Sequence, residues 1–136
     1  MKKIILAMVA VMVPLMLSAG STDFWFRHFS VEDGLSSSAV RAIMQDKYGF
    51  MWLGTDDGLN RYDGTTIKIY RLNPEGVNDY ISFLYDTTDR IWIGTGDGVY
   101  IYDYETENFE PFKLLTAKGD SIKTNVNHIA EDRDGN

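Results

Sequence analysis

A block of ten residues occurs twice in this chain, 40 positions apart: Phe50-Met51-Trp52-Leu53-Gly54-Thr55-Asp56-Asp57-Gly58-Leu59 is answered by Arg90-Ile91-Trp92-Ile93-Gly94-Thr95-Gly96-Asp97-Gly98-Val99. Repetition at this period constrains the fold more than any local signal, because a unit of that size cannot bury its own apolar faces and must stack on copies of itself. The match extends outward at the same shift. Tyr62-Asp63 answers Tyr102-Asp103, Asp46 answers Asp86, and Ile43 answers Phe83. A third copy begins where Val126, Ile129 and Asp132 repeat Val40, Ile43 and Asp46 at a shift of 86. On that register the next Trp belongs two positions beyond Asn136, so the chain is expected to be part of a longer protein.

Each copy reads as four short strands. In the first they are Ala39 to Gln45, Phe50 to Thr55, Leu59 to Asp63 and Thr66 to Arg71, with Ile67 and Ile69 on one face of the last and Thr66, Lys68 and Tyr70 on the other. The joints are turn chemistry: Tyr48-Gly49, Asp57-Gly58 and Asp63-Gly64, with Asp97-Gly98 in the second copy. Glycine there accepts positive φ, and Asp bonds to the local backbone. The fold class predicted is all-β, with β-propeller blades of four antiparallel strands: blade 39–71, blade 80–112 and the start of a third at 126–136. About two and a half blades of a larger ring, expected to have seven, are present. Trp52 and Trp92 read as packing between blades. Gly54 and Gly94 share their strand face and leave room for a close neighbour, and Gly58 and Gly98 serve the central hairpins.

The first twenty residues stand apart. Lys2 and Lys3 precede an uncharged apolar run of 14 residues, Ile4 to Leu17, and then Ser18-Ala19-Gly20. This is the three-part pattern of a secretory signal peptide, with the cut expected between Gly20 and Ser21. The run is short for a membrane span, which needs roughly 20 residues, although an N-terminal anchor is the competing reading. Removing the two lysines from the 13 bases leaves 11 against 20 acids, a net charge of −9 on residues 21–136. That balance argues against nucleic acid as a partner. With no cysteine in the sequence, disulfides and thiolate-ligated zinc are excluded.

Phe26-Arg27-His28-Phe29 lines up with Ile67-Lys68-Ile69-Tyr70 and with Phe109-Glu110-Pro111-Phe112. Residues 24–29 are therefore expected to be a lone fourth strand, of the kind that completes the last blade of a closed ring.

Asp33-Gly34-Leu35-Ser36, Val40, Ile43, Asp46, Gly49, Trp52, Gly54-Thr55, Gly58-Leu59, Arg61-Tyr62-Asp63-Gly64 and Tyr70 together resemble the two-component regulator propeller repeat. The second copy departs from it, with Asp89 for the glycine of the first turn, Tyr80 for the valine and Val99 for the leucine. The resemblance implies the N-terminal part of a periplasmic sensor region of a hybrid two-component histidine kinase. Such a protein sits at the inner membrane with its kinase beyond this chain, works as a homodimer, and senses an oligosaccharide or other small ligand. A secreted propeller glycan hydrolase or lyase, and a non-catalytic binding or scaffold propeller, are the alternatives.

No catalytic, metal or cofactor constellation is expected. Gly94-Thr95-Gly96-Asp97-Gly98 lacks the Lys-Ser/Thr and helix of a phosphate loop and reads as a hairpin. Asp132-Arg133-Asp134-Gly135-Asn136 reads as a turn rather than a calcium loop. His28 and His128, the only histidines, have no partners in sequence that would make a site. Ligands of a propeller meet its loops. The loops here are the links Ser30 to Ser38, Leu72 to Asp79 and Leu114 to Asn125, and the hairpins Thr55 to Gly58 and Thr95 to Gly98. Arg41, Asp56, Tyr80 and Asp97 are the candidate contacts, because acids, a cation and an aromatic ring suit sugar hydroxyls and flat apolar faces.

Overall fold

The computed structural model of the chain describes residues 25–73 and 79–130. The expected leader 1–20 with its cut at Gly20 and Ser21, residue 24 of the expected closing strand, and Asp132 of the third copy lie outside the described residues. After a 3₁₀ turn at Val31–Asp33, the described residues form β1 (Val40–Gln45), β2 (Met51–Thr55), β3 (Gly58–Tyr62), β4 (Ile67–Tyr70), β5 (Ile81–Asp86), β6 (Arg90–Thr95), β7 (Gly98–Asp103), β8 (Asn108–Phe112), β9 (Leu114–Leu115) and β10 (Ser121–Ile122). Two antiparallel meanders, β1-β2-β3-β4 and β5-β6-β7-β8, account for eight of them. The all-β expectation is borne out. Pro111 lies in β8, the outermost strand of its sheet, where a missing N–H costs no ladder bond.

The two sheets pack face to face. Trp52, Leu59 and Tyr70 of the first sheet meet Ile91, Ile93, Tyr102 and Phe109 of the second, with Ile81 and Leu72 closing the cluster. Trp52 is fully buried. Its ring lies 5.1 Å from Tyr102, and it stacks on Tyr70 at 5.9 Å. The indole is also held from the side. Asp46, 5% exposed, accepts the Trp52 Nε1–H at 2.7 Å through Oδ2, while its Oδ1 accepts the backbone N–H groups of Tyr48 and Phe50 at 2.9 Å. One carboxylate therefore closes the β1–β2 turn and fixes the largest side chain of the interface.

The glycines two residues beyond each Trp provide the close approach. A Cβ on Gly54 would come within 2.5 Å of Ile81 Cγ2 in the next sheet. At Gly94 it would come within 1.9 Å of the Phe83 ring and 2.7 Å of the Val126 carbonyl oxygen. Val126 also donates its N–H to Thr95 O at 3.3 Å and accepts from the Ser82 hydroxyl. Residues 126–130 carry no strand, and a two-stranded β9–β10 hairpin occupies the preceding link, which the sequence reads only as a loop. Residues 25–30 likewise have no regular structure, with Trp25 93% exposed. They contact the first sheet through Arg27, which donates to the Tyr62 hydroxyl at 2.6 Å, and Phe29, whose ring lies 4.8 Å from Tyr62.

The register corrects one part of the repeat alignment. Ala42 faces Gly54 and Gln45 faces Met51, whereas Phe83 faces Gly94 and Asp86 faces Ile91. The first strands are thus offset by 41 positions and the second strands by 40. Ile81, not Tyr80, takes the place of Val40, and Thr87, not Asp86, takes the place of Asp46. The cause is a shorter first hairpin in the second sheet. Asp46 to Phe50 closes the first through Gly49 at φ 88°, while Thr87 N–H reaches Arg90 O at 2.8 Å across a tighter turn.

Loss of the Trp52 side chain removes the central filler of the interface. Trp52→Ala is expected to cost about 3–5 kcal/mol, and Gly54→Ala, which forces Ile81 outward, about 1–3 kcal/mol, in denaturant unfolding followed by fluorescence. The turn carboxylates set a pH limit. Asp63 is held far below the usual carboxylate range by the backbone N–H of Thr66 and the hydroxyl and N–H of Thr65, and Asp103 is lowered by the N–H of Thr106. A folded value below the unfolded one, near 3.9, gives stability that is present above about pH 4 and drains away as pH falls further. The melting temperature is expected to hold between pH 7 and 5 and to drop below pH 4, less steeply in Asp63→Asn. A melting temperature that rises on acidification would contradict this.

Candidate functional site

Meander connectivity sends alternate turns to opposite ends of each sheet. The β2–β3 and β6–β7 hairpins and the links between sheets share one end, called here the link end. The β1–β2 and β3–β4 turns and their counterparts share the other, the turn end. The four candidate ligand contacts lie at the link end.

A β-bulge places the first of them. Val40 pairs with Thr55 and Ala42 with Gly54, so Arg41 is the extra residue of β1. A bulge re-aims the side chain it carries. Arg41 Nε pairs with Asp56 Oδ1, and its guanidinium lies 4.7 Å from the centre of the Tyr80 ring. Hydrogen bonding to Asp56 keeps the guanidinium firmly protonated, its pKa raised further. Two equivalent bonds set the backbone frame: Asp56 N–H to Ala39 O and Gly96 N–H to Tyr80 O, both 3.2 Å. Arg41, Asp56 and Tyr80 therefore form one cluster that spans the two sheets.

Asp97 belongs to a second cluster beside it. Its Oδ1 accepts from the Thr95 hydroxyl at 2.9 Å and its Oδ2 from the Asn73 amide at 3.4 Å. Asn73 N–H in turn donates to Asp79 Oδ1 at 2.8 Å, an oxygen that also accepts from Leu72 N–H at 3.1 Å. Asp79 is 5% exposed, and its Oδ2 is buried without a hydrogen-bond partner among the described residues. Burial, followed by the charges of Asp97 and Asp79, pushes the nearby Tyr100 phenol upward. Asp57, the other hairpin acid, is tied down by Arg71, whose Nη2 donates to Oδ2 at 2.8 Å and whose Nη1 donates to the Asp57 carbonyl at 2.6 Å. That pairing lowers the Asp57 carboxyl.

Sequence reasoning missed Asp79 and Asn73. An Asp at the end of a link looks like any turn acid, and only the fold reveals that it is buried with one oxygen unused. The arrangement brings together a cation, carboxyl groups, an aromatic face and an acceptor oxygen without a partner among the described residues. Among the described residues no group of three or more His, Cys, Asp or Glu is placed to hold a metal ion, and no helix is long and apolar enough to cross a membrane. His28 and His128 are exposed and lie outside both clusters.

Residues 34–57 match the family described as two component regulator propeller. A stretch of 59 residues, 43% of this chain, is 56% identical to histidine kinase P4 of Formosa agariphila and spans 4% of that protein. The fold is similar to the extracellular domain assigned to a hybrid two component system in B. thetaiotaomicron, with a TM-score of 0.67 and 31% identity, covering 80% of this chain and 16% of that one. The chain thus spans a small part of each relative. The resemblance read from the residues is borne out, in the repeat and in the fold.

The two clusters differ in what they contribute to stability. Asp79→Ala removes the acceptor of two backbone N–H groups and is expected to lower stability by about 1–3 kcal/mol. Arg41→Ala breaks a solvent-exposed pair and is expected to leave the melting temperature almost unchanged. Equal losses in parallel melting experiments would contradict the assignment.

Proposed function

We propose that this chain is the N-terminal part of the ligand-sensing propeller of a two-component phosphorelay histidine kinase, exported to the periplasmic face of the inner membrane, and that its ligand is an oligosaccharide bound at the link end. The remaining blades of its own ring and a second copy of the full-length protein are its partners in this reading, and residues 24–29 clasp the last blade. The observation that carries it is the likeness, at 31% identity over 80% of the chain, to an extracellular domain of a hybrid two component system. The leader pattern in the sequence supports export. The Arg41–Asp56–Tyr80 cluster supports the ligand class, since sugar hydroxyls both donate and accept and a pyranose presents a flat apolar face to a ring.

The position of the cluster supports a signalling route. Arg41 and Asp56 belong to the first blade and Tyr80 enters the second. A ligand touching all three has different contact energy in different blade arrangements, and only such a difference can shift a conformational equilibrium.

A thermal-shift screen of the full-length protein against plant and algal oligosaccharides tests the reading. At least one is expected to raise the melting temperature, and Arg41→Ala or Tyr80→Ala is expected to weaken its binding by about tenfold or more, a loss near 1.4 kcal/mol. A gene that continues past codon 136 without a kinase or other signalling domain would overturn the sensor reading.

A further inference from the structure

We propose that the turn end of the seam between the two blades is a second binding site, taking a neutral polyhydroxy ligand of one or two sugar rings. This goes beyond the link-end reading and stands without it. Two adjoining cavities lie there, of about 420 and 270 Å³. Sites for small molecules begin at roughly 300 Å³. Tyr48 and Tyr104 line both. Lys47, Asp89, Arg90 and Glu105 are among the other residues of the larger, and Phe50, Arg61 and Glu107 among those of the smaller.

The second blade builds this site by a local departure from the repeat. Tyr62 pairs with Ile67 across the β3–β4 turn, whereas Tyr102 pairs with Phe109 across the β7–β8 turn, which is two residues longer. Tyr104 stands where the first blade has Gly64. Its hydroxyl donates to Asp86 Oδ1 at 2.8 Å, so the ring is a fixed wall. Tyr48 meets it edge to face at 5.2 Å and is itself 63% exposed, which leaves an apolar ring at the rim. Lys47 reaches across the seam to Thr88 O and lies 4.5 Å over the Tyr104 ring, fixing the second side of the cavity.

Charge and hydrogen bonding choose the ligand. The two cavities are lined by five acids, Asp46, Asp89, Asp103, Glu105 and Glu107, against three bases, Lys47, Arg61 and Arg90. An anion is disfavoured there. Among the described residues the Asp89, Arg90 and Glu105 side chains make no hydrogen bond, so donors and acceptors stand side by side at the rim. Hydroxyl groups satisfy both kinds at once, and the exposed Tyr48 ring suits the apolar face of a pyranose.

Titration of the full-length protein with maltose, cellobiose and lactose, and with glucuronate as an anionic counterpart, tests the site by hydrogen exchange. At least one neutral disaccharide is expected to slow exchange at residues 47–48 and 103–105, and glucuronate is not. Tyr48→Ala is expected to weaken that protection by about tenfold, Tyr48→Trp to retain it, and Arg41→Ala and Tyr80→Ala to leave it unchanged. The proposal is overturned if none of the three disaccharides protects these turns, if Tyr48→Ala protects like the parent, or if glucuronate protects equally. Those outcomes leave link-end binding, read through Arg41 and Tyr80, standing or failing by itself.

Discussion

Everything in this structure depends on a wide aromatic side chain that two sheets bury between them. A four-stranded meander has two faces and no interior, so its apolar residues are stable only against another sheet. Trp52 fills that contact. A Trp brings a polar N–H with its large apolar ring, and an unpaired N–H in such a place would cost much of what the ring gains. Asp46 removes the cost, since its second oxygen is the acceptor. The carboxylate is in turn satisfied by the turn backbone, so a group that would be expensive to bury alone is fully bonded.

The same contact explains how the link end is organised. With Gly54 lacking a side chain, Ile81 can press onto β2, and Tyr80 is carried next to the bulge that aims Arg41. The Arg41–Asp56–Tyr80 cluster is therefore a by-product of blade stacking, made of one residue displaced from a ladder, one at a hairpin tip and one at the mouth of the next strand. The orphaned oxygen of Asp79 lies one residue before that mouth.

Much of this was legible in the residues. Alternation, Asp-Gly turns and the doubled Trp-x-Gly located the four strands of the first blade to within a residue, because each signal is local and tied to a strand period or a positive φ. Ile67 to Tyr70 and Phe109 to Phe112 also pair as their alignment implies. What the residues hid was anything that changes spacing. Asp86 looks like the partner of Asp46, yet the hairpin before Ile91 is shorter and the ladder slides by one, which hands the position to Thr87. A fixed shift cannot register a deletion of one residue when the uncorrected shift still sets an acid, Asp86, against Asp46. At the site, Arg41, Asp56 and Tyr80 could be named from their types, but their convergence rests on a bulge, and a bulge has no residue signature here. Asp79 and the Tyr104 wall were hidden for the same reason: burial and loop length are properties of the assembled seam.

The glycine beside each Trp also has a direction. Gly54 receives Ile81 from the sheet that follows it, and Gly94 receives Val126 from the segment that follows in turn. Each of the two sheets thus carries a socket on the face toward the segment that follows it, filled by Ile81 at the start of β5 in the first and by the Val126 backbone in the second. Assembly by this rule is vectorial. A chain delivered N-terminus first across a membrane presents every socket before its plug arrives, and each new blade docks on a surface already built. Growth needs no waiting for distant sequence until the ring must close.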